Sequence, residues 1–264
     1  MTSLKSYVWV MVVLALTMHS NILAQKGSQN PDAIFQDSAL TVVNNNDYKL
    51  SYKNLILPTV FIGYGVLSMK INALKQLNIS TKNEIIEDQF HTTTLDNYFQ
   101  FVPAVLVYGL NAAGIKGKHN FWDRSVIYAT SQLISLGLVM PLKHIVKEER
   151  PDGSNHLSFP SGHTSIAFSS AQFMFREYKD TDFWLSISGY PFAIFTGVYR
   201  SINNKHWVGD IVAGAGFGIL STELVYWLYP KINRLLTGEH RHSAIMVMPF
   251  YQNSSIGIGF IRNF

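Results

Sequence analysis

The stretch that decides the fold runs from Lys143 to Asp210. Its three polar clusters read KHIVKEERP at 143–151, FPSGHTS at 159–165 and RSINNKHWVGD at 200–210. Each cluster adjoins an apolar segment whose length and lack of a two-residue period predict a helix rather than a strand. The sequence therefore places three groups of charged and polar side chains at the ends of predicted helices.

The apolar segments extend outward from these clusters along most of the chain after residue 97. They occupy residues 98–115, 125–142, 164–175, 183–199 and 208–229. We expect an all-α fold, a multi-helix bundle embedded in a membrane. Gly214 and Gly218 stand four residues apart in the last segment, a spacing that lets helices approach closely in lipid. The same glycines would also fit a flexible helix in a soluble core.

The composition narrows the class of protein. Apolar residues make up 47% of the 264 residues, and charged residues only 14%, below the usual share of about a quarter. There is no cysteine, which excludes a disulfide framework, a thiolate zinc site and a cysteine nucleophile. The net charge is +4, but the basic residues lie in short clusters between apolar runs, so we expect no nucleic-acid partner.

Residues 1–24 have the pattern of a secretory signal peptide, with Lys5 in the n-region and Ala24 just before a predicted cleavage site. An uncleaved anchor is the alternative, and either segment predicts an exported chain. Residues 25–97 form a polar and amphipathic region. Its apolar run at 55–69 is short for a full span and has Pro58 near its start, which favours a re-entrant or core helix and leaves a crossing open.

Residues 98–236 are predicted to form the helical-bundle domain, and residues 237–264 a tail of different character. Two runs rich in Ile, Val, Met and Phe flank the polar triplet at 252–254, a pattern that predicts a short C-terminal β-hairpin. Two strands cannot close a membrane barrel, so the barrel interpretation is disfavoured.

The charged connections predict an orientation. Loops 116–124, 176–182 and 230–242 are rich in Lys and Arg, and they share one face if each apolar segment after residue 97 crosses once. The positive-inside tendency then assigns them to the cytoplasm and assigns the three polar clusters to the outer face. This assignment of faces requires that residues 55–69 do not cross the membrane.

The first two clusters combine cations with a helix start. Lys143 supplies a point charge, and Arg150 a planar fork that matches two phosphate oxygens, although basic residues beside a span are commonly interfacial anchors. Ser161 is predicted as an N-cap, and Gly162 permits close backbone approach, so amides at this helix start would attract an anion. His163 would then stand beside the bound group, able to protonate a leaving oxygen; the alternative is a surface histidine on a capped helix.

The third cluster adds a histidine with a carboxylate. His206 and Asp210 are four residues apart and share one helical face. A carboxylate in that position can accept one ring N–H and leave the other ring nitrogen as a nucleophile, although such pairs are also common surface hydrogen bonds. Arg200 would act as a third cationic clamp.

Taken together, the clusters match a known pattern: Lys-(six residues)-Arg-Pro, Pro-Ser-Gly-His, and Ser-Arg-(five)-His-(three)-Asp. With this pattern over roughly residues 98–230, the sequence resembles the type 2 phosphatidic acid phosphatase family, which includes membrane lipid phosphatases, soluble bacterial acid phosphatases and vanadium haloperoxidases. The one departure is Tyr199 in place of Ser. The resemblance implies that His206 attacks phosphorus, Asp210 orients it and His163 protonates the leaving oxygen. The implied phosphate-binding residues are Lys143, Arg150, Ser161, Gly162 and Arg200.

The resemblance implies a metal-independent phosphatase without a cofactor, because three cations can supply the charge that a metal otherwise provides. The favoured substrate is a phosphorylated lipid, a phosphate or pyrophosphate monoester, hydrolysed at the periplasmic face of a bacterial inner membrane. The first alternative is a soluble acid phosphatase in the periplasm. A vanadate-binding haloperoxidase is a third and less favoured hypothesis. The sequence leaves the particular lipid and the oligomeric state open.

Overall fold

The computed structural model describes residues 51–237, 245–252 and 255–262, and its first part is a bundle of helices. The predicted signal peptide at 1–24 lies outside the described residues. The helices are α1 (Tyr52–Ser68), α2 (Asn72–Glu87), α3 (Asp96–Phe99), α4 (Val102–Ala112), α5 (Phe121–Val146), α6 (Gly162–Tyr178), α7 (Phe183–Ile187), α8 (Tyr190–Ile202) and α9 (Val208–Thr237). The prediction of an all-α bundle is confirmed for residues 51–237.

The helix boundaries follow from local chemistry. The side chain of Asn120 accepts a hydrogen bond from Asp123 N at 2.9 Å and so caps the first turn of α5. The same helix ends where Lys147 adopts a left-handed conformation with φ 53°. Asp182 caps α7 in the same way, by accepting from Leu185 N at 3.0 Å.

Two predicted helices are broken in the structure. The segment 183–199 divides into α7 and α8 because Pro191, in the first turn of α8, has no N–H and its ring would clash with the preceding turn of a continuous helix. The segment 98–115 divides into α3 and α4, with Pro103 in the first turn of α4. The single long helix predicted for each segment is therefore wrong, although the helical character is correct.

Within the part of the chain that the structure describes, two helices are long and apolar enough to cross a membrane: Phe121–Val146 and Val208–Leu235. Helices α1 and α2 pass the same test as a pair bent by 86°, the geometry of a broken span or a re-entrant loop. This geometry is compatible with the re-entrant helix favoured for residues 55–69. Helix α5 exposes Leu133, Leu136 and Met140 on its outer surface, which suits contact with lipid.

Helix α9 lies at the centre of the bundle and packs against α1, α5 and α6. The close approach requires glycine. A Cβ at Gly214 would lie 2.5 Å from Ser161 O, and a Cβ at Gly218 would lie 2.2 Å from Ser165 O, so neither position accepts a larger side chain against α6. The small-residue spacing noted in the sequence thus marks a helix–helix contact rather than a flexible segment.

The C-terminal tail contains two strands, β1 (Ile245–Gln252) and β2 (Ser255–Arg262). They pair antiparallel, with Ile245 opposite Arg262 and Gln252 opposite Ser255.

Candidate active site

The first two sequence clusters meet where α5 ends and α6 begins. Lys143, in the last turn of α5, is buried and donates hydrogen bonds from Nζ to Leu157 O at 2.8 Å and to Ser158 O at 3.1 Å. A Cβ at Gly162 would lie 3.9 Å from Lys143 Cε, an ordinary contact. The lysine ammonium therefore approaches the start of α6.

Ser161 is the N-cap residue of α6, as predicted, but its side chain makes no capping hydrogen bond. Its buried hydroxyl pairs instead with Thr164 Oγ1 at 2.9 Å. The backbone N–H of Ser161 donates to Asp210 O at 3.0 Å, which connects the second cluster to the third. The first-turn amides of α6 are thus left without a side-chain cap at the N-terminus, where an anion is favoured.

His206 and Asp210 are both almost fully buried, at 2% and 1% exposure. His206 Nδ1 lies 3.7 Å from Asp210 Oδ2, which is ion-pair distance but too long for a hydrogen bond. Asp210 Oδ2 accepts hydrogen bonds from Ser158 Oγ at 2.5 Å and from Trp207 N at 2.9 Å. These two donors fix the carboxylate beside the imidazole.

Arg200 and His163 face helix α3 and the residues next to it. Arg200 donates from Nη1 to Asp96 Oδ2 at 3.0 Å, and both side chains are buried. His163 lies with Nε2 2.9 Å from Asn97 Oδ1. An amide oxygen only accepts, so in this arrangement His163 Nε2 carries the proton and donates it.

Several buried polar atoms of these residues have no hydrogen-bond partner in the described part of the chain. They are Arg150 Nε, Arg200 Nε, His206 Nδ1 and Asp210 Oδ1. Buried polar atoms of folded proteins are nearly always paired, so unpaired guanidinium donors in one region indicate a place for an anion.

Burial sets the charge state of both histidines. It lowers the pKa of His206 to about 4, because it disfavours the imidazolium, although Asp210 opposes this shift. Burial, with the nearby charge of Arg200, also lowers the pKa of His163 to about 4. Burial and the same guanidinium of Arg200 lower the pKa of Arg150. Both imidazoles are therefore neutral at pH 7, and their cationic surroundings favour a bound anion.

Sequence reasoning missed four residues at the site. Ser158 and Glu148 lie inside or next to the recognised motifs, and burial with the adjacent Asp210 carboxylate raises the pKa of Glu148 to about 9. Asp96 and Asn97 lie far from the motifs in sequence, so no spacing pattern could have identified them. Among the side chains that the structure describes, no group of three or more His, Cys, Asp or Glu could hold a metal ion.

Comparison with known proteins identifies relatives that are phosphatases. The sequence of residues 124–234 matches the PAP2 superfamily. A lipid A 1-phosphatase of Porphyromonas gingivalis is 39% identical over 150 residues, which is 56% of this chain and 34% of that protein. A lipid A 1-phosphatase of Helicobacter pylori is 28% identical over 141 residues, 51% of this chain and 70% of that protein.

Among solved structures, a transmembrane PAP2-type phosphatidylglycerolphosphate phosphatase from Bacillus subtilis aligns with a TM-score of 0.45 and 20% identity, over 70% of this chain and 99% of that chain. The matched domain contains all three motifs. Residues 124–234 are a domain of the PAP2 superfamily, the type 2 phosphatidic acid phosphatase family. It spans about a third of the length of the Porphyromonas gingivalis relative.

Proposed function

We propose that this chain is a membrane phosphatase that hydrolyses a lipid phosphate or pyrophosphate monoester through a phosphohistidine on His206. The observation that carries the proposal is the pair of unpaired, buried guanidinium atoms, Arg150 Nε and Arg200 Nε, together with the uncapped first turn of α6. The lipid A 1-phosphatases among the relatives support a phosphorylated lipid as substrate.

In the first step, the neutral imidazole of His206 attacks phosphorus through Nε2. When the anionic phosphate binds beside it, His163 takes up a second proton from solvent. As the bond between phosphorus and the leaving oxygen breaks, this imidazolium transfers its Nε2 proton to that oxygen and is left neutral. Asp210 accepts the Nδ1 proton of His206 in a hydrogen bond, shortening the present 3.7 Å separation, and stabilises the developing positive charge.

In the second step, neutral His163 takes a proton from water, and the resulting hydroxide attacks phosphorus. The bond between phosphorus and His206 Nε2 breaks, which releases inorganic phosphate and restores the neutral imidazole of His206. Lys143, Arg150 and Arg200 stabilise the charge on the phosphoryl oxygens in both steps, together with the amides of Gly162 and His163 at the start of α6. This role for the three cations is the basis for expecting activity without a metal ion.

The membrane reading follows from the two apolar helices that are long enough to cross. We propose that this is the bacterial inner membrane and that the site lies at its periplasmic face. The connections at the other end of the helices are rich in Lys and Arg, which is typical of the cytoplasmic side. Carbonate extraction tests it: a lipid-embedded chain stays in the pellet, and release into the wash would favour the soluble acid phosphatase.

The mechanism is tested by replacing the nucleophile. We expect His206→Ala to abolish phosphate release and to remove the acid-labile phosphoprotein that a labelled substrate forms in the wild type. His144→Ala is the matched control, because His144 is exposed and adjoins Lys143. Substantial turnover by His206→Ala, or equal losses in both variants, would refute the assignment.

A further inference from the structure

A polar pocket has Arg200 of the third cluster in its lining. Its volume is about 650 Å³, within the range of ligand pockets, and all its lining residues have polar or charged side chains. The wall includes Thr92, Thr93, Thr94, Asn97 and Asn203. None of these five is a motif side chain: Asn203 lies in the spacer between Arg200 and His206, and the other four lie before α4. Apart from Arg200, which also lines it, the pocket is therefore an addition to the phosphate site.

The pocket lies on the side from which the leaving group departs. His163 Nε2, the proton donor in the proposed mechanism, points to Asn97 Oδ1 at 2.9 Å, and Asn97 lines the pocket. The leaving oxygen must replace that amide oxygen as the acceptor when the proton is transferred. The group attached to the leaving oxygen is therefore directed into the pocket.

The wall is held in place before any ligand binds. Thr93 N donates to Asn203 Oδ1 at 3.3 Å, and Asn203 Nδ2 donates to Thr93 O at 2.9 Å. Lys205, at the edge of the pocket, is fixed by an ion pair with Asp152 at 2.7 Å. This pairing orders the backbone between Thr92 and Thr94, so their positions are preorganised.

The hydroxyls at this wall are available for a ligand. Thr92 and Thr94 are both exposed. Their side chains make no hydrogen bond to the described part of the chain. An apolar chain in this pocket would cover hydroxyl, amide and ammonium groups without pairing them, which is unfavourable. A group with several hydroxyls would pair with them.

We propose that this pocket binds the hydroxyl-bearing headgroup of the substrate, and that Thr92, Thr94 and Asn97 select phosphate esters of sugar headgroups over those of apolar alcohols. The inference rests on the proposed function, since it takes His163 as the proton donor. It assigns the specificity of the enzyme to residues 92–97, which run from the connection after α2 into α3, rather than to the motifs.

The experiment compares two substrates in detergent micelles, a glucosamine-1-phosphate saccharolipid and phosphatidate, with the wild type and with Thr92→Val/Thr94→Val. Valine keeps the shape of threonine and removes only the hydroxyl. We expect the wild type to prefer the saccharolipid, and the double variant to lose about tenfold in kcat/KM on that substrate alone, as expected for one or two lost hydrogen bonds.

Thr181→Val is the matched control, because Thr181 is likewise exposed but follows α6 at its other end; it should leave both kcat/KM values unchanged. Equal losses of the double variant on both substrates, no loss on either, or a wild type that prefers phosphatidate would each overturn the inference. His206→Ala distinguishes failure of this inference from failure of the proposed function. If that variant stays active on both substrates, the proposed function itself fails.

Discussion

Replacing Gly218 by alanine tests whether the contact between α6 and α9 positions the catalytic groups. An alanine Cβ there would lie 2.2 Å from Ser165 O and 2.8 Å from Ser169 N. Both are backbone atoms of α6, so no side-chain rotation can relieve the clash. Because Cβ atoms essentially never approach within 3.0 Å of other atoms, the helices must separate by at least roughly 0.8 Å.

The size of the effect follows from this displacement. Overpacking against backbone atoms falls in the upper part of the usual range, about 2–3 kcal/mol, and the better helix propensity of alanine returns about 0.5–1 kcal/mol, so we expect a net loss of about 1–2.5 kcal/mol in the free energy of unfolding. Ser165 lies in the first turn of α6, close to His163. Since a displacement of about 1 Å can lower a rate about 10²-fold, we expect kcat/KM to fall about 10- to 100-fold.

The assay combines thermal unfolding in detergent with hydrolysis of a soluble phosphate ester. The matched control is Gly137→Ala in α5, where an added Cβ would meet nothing within 4 Å. This variant should unfold at the same or a slightly higher temperature and keep its activity. The reasoning is refuted if Gly218→Ala keeps the Tm and the activity of the wild type, or if Gly137→Ala loses as much as Gly218→Ala.

Three further substitutions address the chemistry of the site. Asp210→Asn should lower kcat about 10²- to 10⁴-fold with little change in KM, because the carboxylate supports His206 rather than the substrate; a change confined to KM would contradict that role. Glu148→Gln should keep the neutral-pH activity, since burial raises the pKa of Glu148 to about 9 and the acid is protonated below that value. As the pH rises through 9, the wild type should lose more activity than this variant, because ionised Glu148 repels Asp210; superimposable pH profiles would disprove it. The carboxylate of Asp96 competes with phosphate for Arg200, and Asp96→Asn keeps an oxygen for Arg200 but removes the negative charge. The inhibition constant of inorganic phosphate should therefore fall about three- to tenfold, and an unchanged or larger constant would show that Asp96 and phosphate do not compete for Arg200.

Much of the helical bundle could be predicted because hydrophobic runs and their lengths are local properties. The breaks at Pro103 and Pro191 were also readable from the sequence, but the continuous apolar character of each segment masked them. The side-chain partner of Ser161 could not be predicted for a different reason. The hydroxyl pairs with Thr164, three residues away, and a serine at this position would look the same in the sequence whether it capped the helix or paired with that hydroxyl.

The residues of the candidate active site likewise include some that the sequence could predict and some that it could not. Motif residues such as Lys143 and Asp210 could be proposed from spacing, since phosphate chemistry requires cations and a supported imidazole. Asp96 and Asn97 could not, because their contacts with Arg200 and His163 connect positions 104 and 66 residues apart. Such contacts depend on how α3 folds over the ends of α6 and α8, which no local pattern encodes.

The end of the bundle away from the motifs explains how the unpaired groups are held in position. There, Glu177 of α6 lies 2.6 Å from His119 Nδ1, pairs with Arg124 Nε of α5 at 3.3 Å and accepts from Tyr226 of α9 at 2.8 Å. A buried carboxylate with this many partners fixes the positions of the three helices relative to one another.

Those same three helices carry Lys143, His163 and Asp210 at their other ends. Leaving buried polar atoms unpaired costs about 1–3 kcal/mol each, so without such an anchor the helix ends would relax until the groups paired with one another. The paired cluster at one end thus allows the other end to keep its donors free for phosphate, and electrostatic preorganisation of this kind is what phosphoryl transfer requires.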